Sequence, residues 1–313
     1  MKSKKAFALM ILAGILWGSS GIFVNLLSPY GFTPIQLVAT RATVSFVLLG
    51  MFVLLKDRKA FLTESRRVPL FIALAVTLFL SMFLYYSSMV RTSVCTAVIL
   101  LDLHPVYVTA VSAVIFKERL SPIKVTSIFA MLVGCAFVSG VFGGIKLDFA
   151  GLILGILSGV AYASYVLLVK YYNREGVAST TANIYTFLFM TVISLSVCKP
   201  LSLFLTASSD PIPTVPLLIA LGICTSVIPF VLNGIALHDL SAGTVAALGI
   251  MEPLSATVFS VAFFNEPMDA WKIVGVVIIL SAVVFLGLDE IWAERKADKA
   301  SGKQEEKEFA AVN

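Results

Sequence analysis

Four ionisable side chains, Arg41, Asp102, His104 and Glu252, lie inside apolar stretches long enough to cross a lipid bilayer. A charge at the bilayer centre costs at least about 2.5 to 3.5 kcal/mol, so residues retained there are functional candidates by default. Carboxylate and imidazole groups point to proton exchange. Removing a carboxylate from water favours its protonated form, which would let Glu252 take up and release a proton during a transport cycle. An imidazole such as His104 exchanges protons near neutral pH. The competing role for Glu252 is to cap backbone groups freed by Pro253. Arg41 and Asp102 each fall roughly 12 Å below the same end of their segments at the helical rise per residue. At that shared depth they are candidates for a buried ion pair, either on a transport path or merely fixing helix packing.

Asp102 and His104 are two positions apart, roughly 200° around a continuous helix, and should not both point into one site. That spacing argues against a metal site and against an Asp–His catalytic pair. No G-x-S-x-G or H-E-x-x-H is present to complete one. The sequence is therefore read as a non-enzyme with no cofactor and no metal.

Around these groups stand Trp17, Tyr85, Tyr86, Tyr162 and Tyr165. A tyrosine hydroxyl in lipid needs a partner, so several should face a cavity or another helix, with packing or interfacial anchoring as the alternative. Asn233 is the uncharged hydrogen-bonding candidate, with an interhelical bond as its competing role. Pro105 and Pro253 each remove a helical hydrogen bond and leave a carbonyl without its donor, so both helices are expected to kink there and to serve as hinges.

The elements that must position these groups follow from composition. Apolar residues make up 59% of the 313 and charged residues 13%, about half the charge of an ordinary globular domain. A helix needs about 20 mainly apolar residues to cross the hydrocarbon, because its backbone polar groups must be satisfied internally. Ten segments qualify: 6–27, 33–55, 68–90, 94–116, 123–142, 149–169, 181–197, 215–237, 242–264 and 271–288. The charged stretch 289–313 reads as a disordered or fraying tail. The first segment follows three lysines as a signal peptide would, but it is long and more spans follow, so it is read as a helix. Cys95, Cys135, Cys198 and Cys224 show no metal-ligand spacing and read as small core residues.

Lysine and arginine fix the expected orientation. The amino terminus, the alternate loops and the tail hold 18 of them, against Arg91, Lys146, Lys199 and Lys272 on the other side. The imbalance places both termini in the cytoplasm. It is a topology signal, not a nucleic-acid footprint.

The chain repeats itself. ILAGILWGSS from Ile11 matches ILSGVAYASY from Ile156, and later Thr96, Pro105, Phe116, Glu118 and Lys124 match Thr244, Pro253, Phe264, Glu266 and Lys272 at a constant offset of 148. Five is odd, so the second half must enter the membrane upside down, the inverted plan of secondary transporters, with sites near the midplane. The expected fold is an all-α membrane protein of ten transmembrane helices, two inverted five-helix repeats at 6–142 and 149–288 around a central cavity. His104 is then the counterpart of Glu252 across that cavity. Gly14 with Gly18 and Gly155 with Gly159 form G-x-x-x-G at the first helix of each half, read as close packing within the monomer or as a dimer face.

On LLDLHPVYVTAVSAVIFKERLS, LGIMEPLSATVFSVAFFNEPMD, AGILWGSSGIFVN and Arg41, the chain resembles EamA-type members of the drug/metabolite transporter superfamily across residues 6–288. The resemblance implies a ten-helix basket with a central cavity, commonly used to export amino acids, amines or related metabolites. Asp102 and His104 depart from it, standing where the family usually has uncharged residues.

The function expected is export of a small metabolite, an amino acid or amine, by a secondary transporter with protons as the coupling partner. The chain would span the plasma or inner membrane as a monomer or homodimer, with no nucleic-acid partner. The alternatives are efflux of lipophilic cations and multiple drugs, and, in another class, a non-transporting membrane scaffold or receptor.

Overall fold

The computed structural model describes residues 2–56, 65–115, 121–138, 148–174, 179–240, 245, 248–249, 251–266, 268–285, 288 and 292. The stretch 289–313 therefore lies outside the described residues apart from Trp292, as do Glu118 and Thr244. Within the described residues all regular structure is helical: α1 (Lys2–Gly18), α2 (Ser20–Leu27), α3 (Pro34–Lys56), α4 (Val68–Arg91), α5 (Val94–Leu101), α6 (His104–Ile115) and α7 (Pro122–Val138). There follow α8 (Phe149–Arg174), α9 (Ser179–Cys198), α10 (Pro200–Ser209), α11 (Pro211–Gly222), α12 (Ile228–Asp239), α13 (Met251–Phe264) and α14 (Ala270–Phe285).

Among the described residues, six continuous stretches are long and apolar enough to cross a membrane: Lys4–Tyr30, Pro34–Leu55, Val68–Arg91, Phe149–Val169, Thr181–Cys198 and Pro211–Ala236. Four shorter apolar helices, Val94–Val108, Val125–Cys135, Met251–Phe264 and Ala270–Phe285, accompany them. Large apolar side chains such as Leu55, Val114, Phe129, Phe149 and Ile212 stand largely exposed. On a soluble protein such a surface would be sticky, whereas against acyl chains it is the expected exterior.

Local chemistry sets where several helices begin. Ser93 is extended and its hydroxyl accepts the Thr96 N–H, which starts α5 at Val94. Asp148 accepts the Gly151 N–H at 2.9 Å ahead of α8, and Asp269 accepts the Lys272 N–H at 2.7 Å ahead of α14. Glu266 closes a longer connection, since its carboxylate accepts the N–H groups of Val94 at 2.9 Å and Cys95 at 3.4 Å and bonds the Ser260 hydroxyl. The end of α13 is thereby tied to the start of α5, where the helix dipole favours a negative charge.

The helices pack into one bundle. α4 lies against α8 and α9, α3 against α9, α1 against α12 and α13, and α5 against both α8 and α13. A shared core including Leu37, Ala75, Ile99, Phe187, Leu221 and Ala256 joins them. Helices of the amino- and carboxy-terminal halves thus interdigitate.

Candidate functional site

The segment expected as one helix from 94 to 116 is two helices with a turn at Asp102–Leu103. Pro105 has no N–H, so the Leu101 carbonyl loses its donor four residues on. The His104 ring turns back toward that carbonyl, and the next turn is re-formed by Val106 N–H donating to Leu103 at 2.9 Å. The same device recurs 148 residues later. Pro253 leaves the Gly249 carbonyl without its usual donor, Glu252 N–H donates to it instead at 3.0 Å, and α13 starts at Met251 with Glu252 in its first turn.

Two glycine motifs seat these breaks. A methyl on Gly14 would come to 2.5 Å of the Met251 Cβ, and one on Gly18 to 2.6 Å of the Glu252 carbonyl oxygen. On α8, a methyl on Gly155 would meet the Leu100 side chain at 2.5 Å, and one on Gly159 the Leu100 and Leu101 carbonyl oxygens at 2.9 and 3.1 Å. Each G-x-x-x-G is therefore packed within the monomer against the broken helix of the opposite half, close enough that only glycine fits.

The two breaks lie within electrostatic range of one another. Asp102 and Glu252 are near enough for the charge of one carboxylate to act on the other, and both act on Tyr85 and Tyr162. His104 packs edge-on against Tyr162 with centroids 4.8 Å apart, and Tyr162 stacks with Tyr165 at 5.9 Å. The break removes the 200° separation expected for a continuous helix: His104 borders Tyr162, and the charge of Asp102 reaches the same ring. Asp102, His104, Tyr162, Tyr165 and Glu252 are each half-buried. The sequence offset matches Glu252 with His104, but the carboxylate that reaches Glu252 is Asp102.

Among the described residues no side-chain hydrogen bond reaches Asp102 or Glu252. Asp102 Oδ2 is a buried atom without a bonding partner among the described residues, whereas the Tyr85 hydroxyl lies beside that of Ser20. Tyr85 is 1% exposed.

Arg41 differs from the ion-pair expectation. It bonds to α4 and to the π-helical turn Ile223–Val227 between α11 and α12, not to Asp102. Nε donates to Ser226 Oγ at 2.6 Å, Nη2 to the Thr225 carbonyl at 2.7 Å, and Nη1 to Tyr86 Oη at 2.9 Å and Met82 Sδ at 3.1 Å. The reason lies four residues on from Thr225: Pro229 supplies no N–H, so the Thr225 carbonyl is free and the guanidinium takes it. Tyr86 is thus a ligand of Arg41, and the charge of Arg41 still acts on Glu252 and Tyr162 without bonding them. The sequence reading missed Thr225 and Ser226, although a proline three and four positions beyond them was the available signal.

Trp17 lies between Gly14 and Gly18 on α1. It packs with Met10, Ala13, Ala236 and Val245 and meets Phe230 edge-on at 6.0 Å. Asn233, one turn after Phe230 on α12, is half-buried.

Comparison with known proteins places this geometry in context. Residues 4–140 and again 149–288 match the EamA-like transporter family. An uncharacterized transporter YxxF of Bacillus subtilis is 24% identical over 278 residues, covering 88% of this chain and 86% of the relative. An uncharacterized transporter of Archaeoglobus fulgidus is 26% identical over 289 residues, covering 88% and 94%. A protein crystal structure shares the fold with a TM-score of 0.60 at 18% identity, over 91% of this chain and 97% of the other.

Proposed function

The chain belongs to the EamA-like transporter family, within the drug/metabolite transporter superfamily, and from that premise we propose that it exports a small metabolite of the amino-acid or amine kind in exchange for protons. It is a multi-pass membrane transporter rather than an enzyme. In this reading its six long and four shorter apolar helices are ten spans in two inverted five-helix repeats, at 6–142 and 149–288. Both termini face the cytoplasm of a cell with this protein in its plasma or inner membrane. Pro105 and Pro253 are the hinges of alternating access.

One observation carries the proposal. Asp102 and Glu252, one at each helix break, lie within electrostatic range of one another, with no hydrogen bond to either carboxylate among the described residues. An ionised carboxylate there lacks compensation, so a proton or a cationic substrate must supply it. Glu252, which also feels Arg41, is the proposed coupling group.

The test is flux. Protein reconstituted in liposomes with an imposed pH gradient should move at least one member of an amino-acid and amine panel, and Glu252→Gln should abolish the proton dependence. No flux of any member in the wild type would overturn the reading. Efflux of lipophilic cations draws on the same carboxylates beside aromatic rings, and growth resistance to quaternary ammonium compounds that depends on Glu252 would favour it.

A further inference from the structure

We propose that α10 lies flat in one face of the membrane, with Leu201, Phe204 and Leu205 set into the boundary between lipid headgroups and acyl chains, so that the partner of this helix is the bilayer itself.

Length excludes a span. The 10 residues of α10 rise about 15 Å, half of the roughly 30 Å of hydrocarbon. Nor does α10 continue its neighbours. Lys199, left-handed at φ 56°, turns the chain as it leaves α9, and Pro200 and Pro211 open α10 and α11.

Hydrogen bonds fix its depth. Gln36, in the first turn of α3, donates from Nε2 to Ser202 Oγ at 3.1 Å and to Thr206 Oγ1 at 3.3 Å. The Thr214 hydroxyl, in the first turn of α11, donates to the Ala207 carbonyl at 3.1 Å. Both halves of α10 are thus held at the level where two long apolar helices begin, which is where those helices enter the membrane. A helix held in this way runs along the surface.

The sequence gives α10 a separate side for each environment such a helix meets, taking about 100° of rotation per residue. Leu203 and Ala207 pack on the shared core. Ser202, Thr206 and Ser209 form a hydroxyl-bearing side. Leu201, Phe204 and Leu205 make the third, 68%, 64% and 59% exposed, and Ser208 ends it. Apolar side chains on one face and hydroxyls on another are what an interfacial helix requires. The apolar strip also continues beyond α10, since Val197 at the end of α9 is 60% exposed and Ile212 at the start of α11 is 86% exposed. It therefore joins the exterior that the long helices present to acyl chains. Exposed Lys199 and Asp210 flank α10 with one charge of each sign, so apolar burial, not attraction to anionic headgroups, holds it there.

The experiment measures depth by tryptophan quenching on the full-length protein in phosphatidylcholine liposomes, read as the difference from the wild type with its 3 tryptophans. Leu201→Trp and Leu205→Trp keep a large apolar side chain on an exposed face, and Ser209→Trp marks the hydroxyl side. Lipid brominated near the start or near the end of its acyl chains quenches from within the bilayer, and iodide quenches from water. Leu201→Trp and Leu205→Trp should answer to the shallow bromines more than to the deep ones and lie at one shared depth, about 5–10 Å into the headgroup and acyl boundary. Ser209→Trp should answer to iodide, and adding phosphatidylglycerol should move none of them. The proposal is overturned if the two leucine positions differ in depth by about 6 Å, the rise of an upright helix over four residues. It is overturned equally if both answer to iodide alone, if neither quencher reaches them until added lipid dilutes the protein, which would mean that a second copy covers the strip, or if phosphatidylglycerol deepens them. Phe204→Trp on the same strip gives an independent reading should either leucine variant fail to fold.

Discussion

The two helix breaks, at Asp102–Pro105 and at Gly249–Pro253, are built by the same backbone device and furnished with different chemistry. Each has a proline that frees a carbonyl and a G-x-x-x-G from the opposite half pressed against it. The first break carries a carboxylate in the turn and an imidazole at the start of the next helix, flanked by Tyr162. The second carries one carboxylate, Glu252, in the first turn of α13. The residues matched by the 148-residue offset, His104 and Glu252, are not the ones whose charges meet. The two breaks thus share the way the backbone bends and differ in the side chains they carry.

The sharpest way to break that asymmetry is to remove the titratable groups one at a time. Glu252→Gln should lower proton-driven flux at least about 100-fold, the scale of losing a proton-transfer group, whereas His104→Gln should retain most of it. Equal losses in liposome assays would mean that the offset partners, and not Asp102 and Glu252, form the working pair.

Next in size are the two glycine seats. Gly18→Leu and Gly159→Leu should each destabilise the protein by about 1–3 kcal/mol or more through overpacking against a backbone carbonyl, read by unfolding in detergent. A loss confined to one of the two would show that the breaks are not equivalent in construction.

Arg41 offers a smaller effect that separates the site from its support. Arg41→Lys replaces a fork that reaches four groups by a point charge, and should cost about 1.5–3 kcal/mol. In a Pro229→Ala background the Thr225 carbonyl regains a helical donor, so the cost of Arg41→Lys should shrink. A cost unchanged by Pro229→Ala would remove the proline-freed carbonyl from the account.

The smallest effect is expected at the surface. The Gly151 N–H, and after it the Arg91 guanidinium, hold the Asp148 carboxyl below its ordinary range. Because its folded value is depressed, its contribution to stability is present above the ordinary carboxylate value of about 3.9 and is lost as pH falls below it. Asp148→Asn should leave flux and the near-neutral unfolding temperature almost unchanged and flatten only the acid limb of the stability profile. A large change in flux would move the site toward this surface.

Much of this was legible in the residues themselves. Apolar runs announce membrane helices because a backbone in lipid has no other partner for its N–H and C=O groups. Pro105 and Pro253 announce breaks because the missing N–H is a property of the residue, and the glycine spacing announces close approach because it leaves no side chain in the way. The partners of Arg41 and the electrostatic reach of Asp102 to Glu252 were not legible in that way. A broken helix no longer follows the 100° wheel, so the direction of Asp102 depends on the turn it occupies. Which groups then meet depends on how helices more than a hundred residues apart rotate and cross, and that is settled by packing over the whole bundle. The sequence determined where the backbone must bend and which groups are too costly to leave in lipid; only the tertiary structure decided which of them would face one another.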